Sequence, residues 1–208
     1  FAAFAVGQVA RLAEGAATLD GASYRIAGQP LDFAAWEALE GELSVALPKD
    51  LKLAADDLRT PAPPRWSASL TTAGGRVVLD GFLPDAASRE RLLARLKPSF
   101  PAGIEDRTRL APGARDGTAA ALDFAAAAVA GLTEGGARID PAGFSIAGKP
   151  RDWATWDGLE RTLRSGVPGG LPLVADGLIV PVPSPYRLGI ATKGGVAPVD
   201  GFVPDAAA

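Results

Sequence analysis

The sequence contains an internal duplication with a period of 120 residues. Residues 1–88 align with residues 121–208 without an insertion or deletion, and 38 of these 88 positions are identical. Phe4 aligns with Phe124 and Trp36 with Trp156. The identities concentrate in Gly, Pro, Asp, Trp and Leu, residue types that determine turns, helix caps and cores. Solenoid repeats are roughly 20–50 residues long, so a period of this length indicates duplicated domains.

A second, shorter relationship lies within the 120-residue block. Gly28 and Asp32 recur 53 residues later as Gly81 and Asp85, so the block itself consists of two related halves. Pro- and Gly-rich segments separate the halves, as is typical of linkers. The predicted units are 1–60; 61–112, which lacks the first helix; 118–180, which copies the first unit; and 181–208, the start of a fourth unit with only its hairpin.

Each full unit is predicted to contain a helix, a β-hairpin, a second helix and a final strand. Phe4, Val9 and Leu12 lie near one stripe of the first helix. We expect this helix to end at Gly15 and its copy to end at Gly135, because glycine readily adopts the left-handed conformation that terminates helices.

The hairpin, second helix and final strand have clearer signals. A turn at 20–23 joins two β-prone runs, and Asp32 can cap a helix that has an apolar face at Trp36. The second unit repeats this pattern, with Asp85 as the cap and a strand at 104–110. Pro198 predicts an edge or irregular strand in the fourth unit. The predicted fold class is α+β, with three-stranded sheets covered by helices, and we expect neighbouring units to be able to pair into larger sandwiches.

The chain has no Cys, no His and no Met. Thiol nucleophiles, histidine acid–base catalysis and Cys/His zinc sites are therefore excluded. Carboxylates remain, but Asp56 and Asp57 are adjacent on a predicted strand, where successive side chains point to opposite faces. A calcium loop would need several oxygen ligands at alternating spacing. We therefore predict no catalytic residue, no metal ligand and no cofactor, and hence a non-enzymatic protein.

The net charge of −3 disfavours nucleic-acid binding, because phosphate recognition needs a basic surface. No apolar run approaches the roughly 20 residues that a membrane-spanning helix requires. Because the sequence does not begin with Met, we expect the native protein to start upstream, with any signal peptide outside this sequence.

A basic helix in the second unit is the candidate binding surface. Its basic residues are Arg89, Arg91, Arg95 and Lys97. The following strand adds Arg107 and Arg109. These side chains could meet anionic lipid headgroups. Alternatively they form the solvated face of an amphipathic helix, which is the commoner role of such charges.

The tryptophans have structural interpretations as well as a carbohydrate-stacking one. Trp36 and Trp156 fall on the leucine-bearing face of a predicted helix, which favours core packing. Trp66 and its counterpart Tyr186 follow Pro-rich segments, and we expect Trp66 to hold adjacent units together.

In residues 75–104, Gly75 is predicted to lie in a turn, a strand ends in Leu79 and Gly81, and a helix is followed by the pair Gly103-Ile104 at the start of the last strand. This pattern resembles the BON domain. The alternating units resemble the BON-like repeats that precede a peptidoglycan-binding module in some OmpA-family envelope proteins, although this sequence contains no peptidoglycan-binding motif. The resemblance implies an exported protein, periplasmic or associated with the outer membrane, that binds phospholipid or other envelope components without catalysis.

Two functional hypotheses follow. The first is a non-enzymatic cell-envelope module that binds or spaces partners at the membrane or cell wall. The alternative is a structural repeat protein that forms homo-oligomers through its sheet edges, using the uncovered final hairpin for strand addition.

Overall fold

The computed structural model describes residues 1–182, 188–190, 192 and 199–201. The first unit contains α1 (Ala2–Val9), β1 (Leu12–Asp20), β2 (Ser23–Pro30), α2 (Phe33–Val45) and β3 (Lys52–Leu58). The second contains β4 (Ala68–Ala73), β5 (Arg76–Leu83), α3 (Ala86–Leu96) and β6 (Ile104–Leu110). The third contains α4 (Thr118–Ala130), β7 (Leu132–Asp140), β8 (Gly143–Pro150), α5 (Trp153–Ser165) and β9 (Leu173–Leu178). Two short strands follow, β10 (Leu188–Ile190) and β11 (Val199–Gly201). Tyr186 and Pro198 lie outside the described residues.

The fold is α+β, as predicted, and one order of elements recurs three times. An antiparallel hairpin is followed by a helix and then by a strand parallel to the second hairpin strand, in β1–β2–β3, β4–β5–β6 and β7–β8–β9. The hairpin of the first unit turns as predicted, with Asp20 paired to Ser23 and Gly21 in the left-handed region at φ 58°. In the second unit a two-residue turn, Gly74-Gly75, has positive φ at both positions, as a type I′ turn requires.

The predicted aspartate caps are confirmed. The side chains of Asp32, Asp85 and Asp152 each accept a hydrogen bond from the backbone N–H three residues later, at 2.7, 2.6 and 2.8 Å. These bonds satisfy amides that have no partner within the helix, so they set the start of α2, α3 and α5.

The predicted end of the first helix is wrong in both copies. Helix α1 ends at Val9 and α4 at Ala130, and Gly15 and Gly135 lie inside strands β1 and β7. Both glycines have positive φ, and a Cβ on either would lie within 2.3 Å of a carbonyl oxygen of the neighbouring strand. Both glycines allow two strands to approach closely. The sequence alone does not distinguish this role of glycine from its role at the C-terminus of a helix.

The prediction of separate three-stranded sheets holds only for the first unit. Strands β1, β2 and β3 form one mixed sheet, but the second and third units share a six-stranded sheet with the order β6-β5-β4-β7-β8-β9. The two units join edge to edge through an antiparallel pairing of β4 with β7. They therefore do not form the expected sandwich, in which two sheets would stack face to face.

The hydrophobic core follows the sheets. One cluster in the first unit is built around Tyr24, Ile26 and Leu39. A larger cluster runs without interruption through the second and third units and includes Trp66 and Phe144. The joined sheet thus has one continuous core.

Candidate interaction surfaces

The junction of β4 with β7 is the most extensive contact between units. Six consecutive pairs connect the two strands, from Ala68 opposite Ile139 to Ala73 opposite Glu134. Helix α4 lies over this seam and packs against α3, β4 and β7. The junction therefore combines a strand ladder with a buried apolar layer, and it uses backbone groups that would otherwise form two open edges.

A glycine permits the two strands to approach. A Cβ built on Gly136 would lie 2.4 Å from the carbonyl oxygen of Leu70 and 3.1 Å from the Cα of Thr71. Both atoms belong to the backbone of β4, so neither can move aside as a flexible side chain would. At this position the observed pairing is compatible only with glycine.

A second contact between units is formed around Arg109. Its guanidinium carbon lies 5.5, 5.7 and 5.2 Å from the ring centroids of Phe33, Trp36 and Phe82. Nη1 of Arg109 also donates a hydrogen bond of 2.8 Å to Glu37. The first unit supplies Phe33, Trp36 and Glu37, and the second supplies the other two residues. The cation thus connects α2 to the second unit by ring stacking and an ion pair.

The predicted basic surface is largely neutralised by carboxylates. Arg89 forms an ion pair of 2.7 Å with Asp106, and Arg91 lies 3.8 Å from Asp123. On the next strand, Arg107 pairs with Glu105 at 2.6 Å. The remaining helix residues, Arg95 and Lys97, are exposed at the end of α3. The structure therefore does not gather the predicted arginines into one unpaired basic patch.

Asp106 is the best-satisfied carboxylate of this surface. Desolvation raises its pKa, but hydrogen bonds from the hydroxyl and the amide of Thr108, at 2.6 and 2.9 Å, and the Arg89 ion pair outweigh this, so the pKa of Asp106 lies below its ordinary value. The charged form of Asp106 therefore contributes to the stability of the second unit.

Trp66 lies where the second and third units meet. It is buried, and its indole N–H donates to the carbonyl oxygen of Ala111 at 3.3 Å. It belongs to the cluster that also contains Ile139 of β7. This placement agrees with the prediction that Trp66 holds adjacent units together.

The other two tryptophans that were predicted to pack in the core, Trp36 and Trp156, differ in their burial and in their neighbours. Trp36 is buried, as predicted, but its neighbours include Phe33, at a centroid distance of 5.2 Å, and Arg109 of the next unit. Trp156 is only half-buried, and its ring lies 4.7 Å from that of Trp153.

The acidic residues do not form a metal site within the described part of the chain. Asp56 and Asp57 are both exposed, and Asp56 accepts a hydrogen bond from the backbone N–H of Leu58 at 3.2 Å. Glu40 approaches Asp56, and desolvation together with the charge of Asp56 raises the pKa of Glu40. In the described residues, no three Asp or Glu side chains are close enough to hold a metal ion.

The fold and these contacts define an α+β protein with two mixed sheets. No family model and no curated protein sequence matches the chain. Among the described residues, no helix has the length and hydrophobicity needed to cross a membrane.

Sequence reasoning anticipated Trp66 but missed the contacts around Arg109 and the β4–β7 junction. Arg109 was assigned to a basic surface, because the sequence does not show that its partners lie 72 and more residues away on α2. The β4–β7 junction left one usable signal. That signal is the pair Gly135-Gly136, which was predicted to end a helix but lies inside strand β7, where a glycine often marks close approach of another backbone.

Proposed function

We propose that this chain is a non-enzymatic module that binds and spaces partners, built from repeated units that join into rigid blocks through their strand edges. The observation that carries the proposal is the β4–β7 pairing, which converts two units into one six-stranded sheet with a shared core. A block of this kind holds its two ends at a fixed separation.

The polar residues of the described chain support a non-catalytic role. Their best-defined carboxylates cap helices, at Asp32, Asp85 and Asp152, or pair with arginines, at Glu37 and Asp106. These interactions stabilise the fold and the contacts between units.

A bacterial cell-envelope location and phospholipid as a partner are further parts of the proposal, and they rest on the BON resemblance. Fractionation of cells that produce the intact protein tests the location. Recovery with the periplasm or outer membrane supports it, and recovery with the cytosol contradicts it. Co-sedimentation with anionic liposomes tests lipid binding through Arg95 and Lys97, which are exposed. Unchanged sedimentation of a variant with both replaced by Glu would exclude that surface.

The spacer function is tested by mechanical extension of the full chain. Residues 68–178 span both joined units, and if they yield together they release about 400 Å of extended chain in one event. Two separate events, the smaller releasing about 150 Å from residues 68–110, would contradict the proposal.

The alternative, self-association through free edges, predicts a mass that rises with protein concentration. Sedimentation velocity of the full chain distinguishes the two, because a spacer that joins units only within one chain stays monomeric.

A further inference from the structure

Strands β1 and β7 are equivalent in the duplication but have different neighbours. Both shift register after their first residue, between Leu12 and Glu14 and between Leu132 and Glu134. Both then pair with the next strand in the same register. In the six-stranded sheet β7 also pairs with β4, whereas β1 has no strand on its outer edge among the described residues.

The apolar residues of β1 are more exposed than the equivalent residues of β7, which has a neighbouring strand on both sides. Leu132, Ala137 and Ile139 of β7 are at most 5% exposed. Their equivalents in β1 are Leu12, Ala17 and Leu19, and these are only partly buried. In register and in the positions of these apolar residues, the β1 edge therefore matches the β7 edge.

The chain also contains a strand pair, β10 with β11, that is equivalent to the β4–β5 pair beside β7. In β4 and β5, Ala68 pairs with Gly81 and Leu70 with Leu79. In β10 and β11 the same pairs occur 120 residues later, Leu188 with Gly201 and Ile190 with Val199. Within the described residues, β10 pairs only with β11. The β10–β11 strand pair of a second copy is therefore the occupant whose register fits β1.

One residue interferes with that fit. The position of Gly136, where a Cβ would approach Leu70 O to 2.4 Å, is occupied in β1 by Ala16. Each lies opposite an equivalent residue, Ala27 for Ala16 and Ala147 for Gly136. A strand placed on β1 as β4 lies on β7 would meet the Ala16 methyl with its own backbone carbonyl.

We propose that Ala16 blocks strand addition at β1, so that the first unit does not accept the β10–β11 strand pair of a second copy. The choice of glycine or alanine at this one position then decides which unit edges join. This inference rests on the proposed function, because it explains why β4 and β7 are the only strand edges that join two units among the described residues.

The test begins with the association of the full chain. Ala16→Gly is expected to strengthen self-association at least tenfold, measured by sedimentation velocity over a concentration series, while the wild-type chain stays monomeric. Gly158→Ala is the matched control, since a Cβ there meets no atom within 4 Å, and it should leave the mass unchanged. Equal masses for the wild type and Ala16→Gly at every concentration would overturn the proposal.

Disulfide cross-linking identifies the occupant, because the chain has no native cysteine. By analogy with Ser69 opposite Arg138, residue 189 of one copy lies opposite residue 18 of the other. Thr18→Cys combined with Gly189→Cys should give covalent dimers in the Ala16→Gly background and none with Ala16 present. Dimers with Ala16 present, or a disulfide within a single chain, would overturn the assignment.

Gly136→Ala is the opposite substitution, because it places alanine at the position of β7 that is equivalent to Ala16. It should open the β4–β7 ladder and raise the hydrogen-exchange rates of β4 amides at least tenfold, and wild-type rates would contradict the argument. Mechanical extension of the wild type separates the two proposals. If residues 68–178 yield in two steps, the spacer function fails. If they yield in one and Ala16→Gly changes nothing, only the role of Ala16 fails.

Discussion

Replacing Arg109 with alanine should weaken the contact between the first and second units, leaving the edge-to-face pair of Phe33 and Phe82 at 5.5 Å in place. The change removes one cation from three aromatic rings and from Glu37. A cation–π contact at a partly exposed site contributes about 0.5–1 kcal/mol, and an exposed ion pair about 0.2–1 kcal/mol. Both Arg109 and Glu37 are nearly half exposed, and one guanidinium cannot stack optimally on three rings at once. We therefore expect a loss of about 1–2 kcal/mol in the free energy of unfolding.

Urea unfolding of the full chain, followed by tryptophan fluorescence, measures this loss, since Trp36 lies in the cluster. Arg107→Ala is the matched control, because Arg107 lies on the same strand and pairs only with the exposed Glu105 among its described contacts. It should cost less than about 0.5 kcal/mol. Arg109→Lys keeps the charge but loses the planar stacking, so an intermediate loss is expected. Equal losses for Arg109→Ala and Arg107→Ala would refute the role of the rings.

Three further changes probe individual groups. Tyr24→Phe should stabilise the first unit by about 1 kcal/mol in thermal unfolding, because the buried hydroxyl of Tyr24 has no hydrogen-bond partner in the described residues. The third unit already has a phenylalanine, Phe144, at the equivalent position. A lower melting temperature for the variant would contradict this reasoning. Glu40→Gln should stabilise the chain at neutral pH by less than about 1 kcal/mol, because the pKa of Glu40 is raised in the folded state. This gain in stability should vanish below the pKa that Glu40 has in the unfolded chain. A stability difference that does not change with pH would exclude the repulsion by Asp56. Asp106→Ala should cost about 1–3 kcal/mol at neutral pH. The pKa of Asp106 is lower in the folded state than in the unfolded chain, so its contribution to the free energy of unfolding is full above the unfolded pKa and is lost as the pH falls through the folded pKa. The urea midpoints of the wild type and the variant should therefore converge in acid.

Local sequence signals predicted most elements correctly. Asp32 and Asp85 marked helix starts because capping depends on a side chain and an amide only three residues apart. The strand predicted at 104–110 matches β6, since its limits are set by Gly103 and by the residues that follow. Turns and caps are decided by neighbours in the chain, so one sequence contains the information needed.

Contacts between units were harder to predict, because they depend on residues far apart in the chain. Within the units too, Gly15 and Gly135 were assigned to helix ends, yet each lets its strand approach the other strand of its own hairpin closely. The joining of β4 to β7 depends on Gly136, and the pair Gly135-Gly136 by itself fits a turn or helix end as well as a close approach of strands. Comparison with the other copy does, because Ala16 occupies the equivalent place.

The boundaries of the six-stranded sheet do not coincide with the boundaries of the sequence repeat. The sequence repeat restarts at residue 121, but the sheet extends from residue 68 to residue 178 and so crosses that boundary. Dividing the protein at 120 would cut through α4 and separate β4 from β7, whereas a division near 60 breaks none of the strand pairings in the part of the chain that the structure describes. The segment that was copied and the segment that folds as one block are therefore different segments, and an added copy would have its structural effect at the seam with its neighbour.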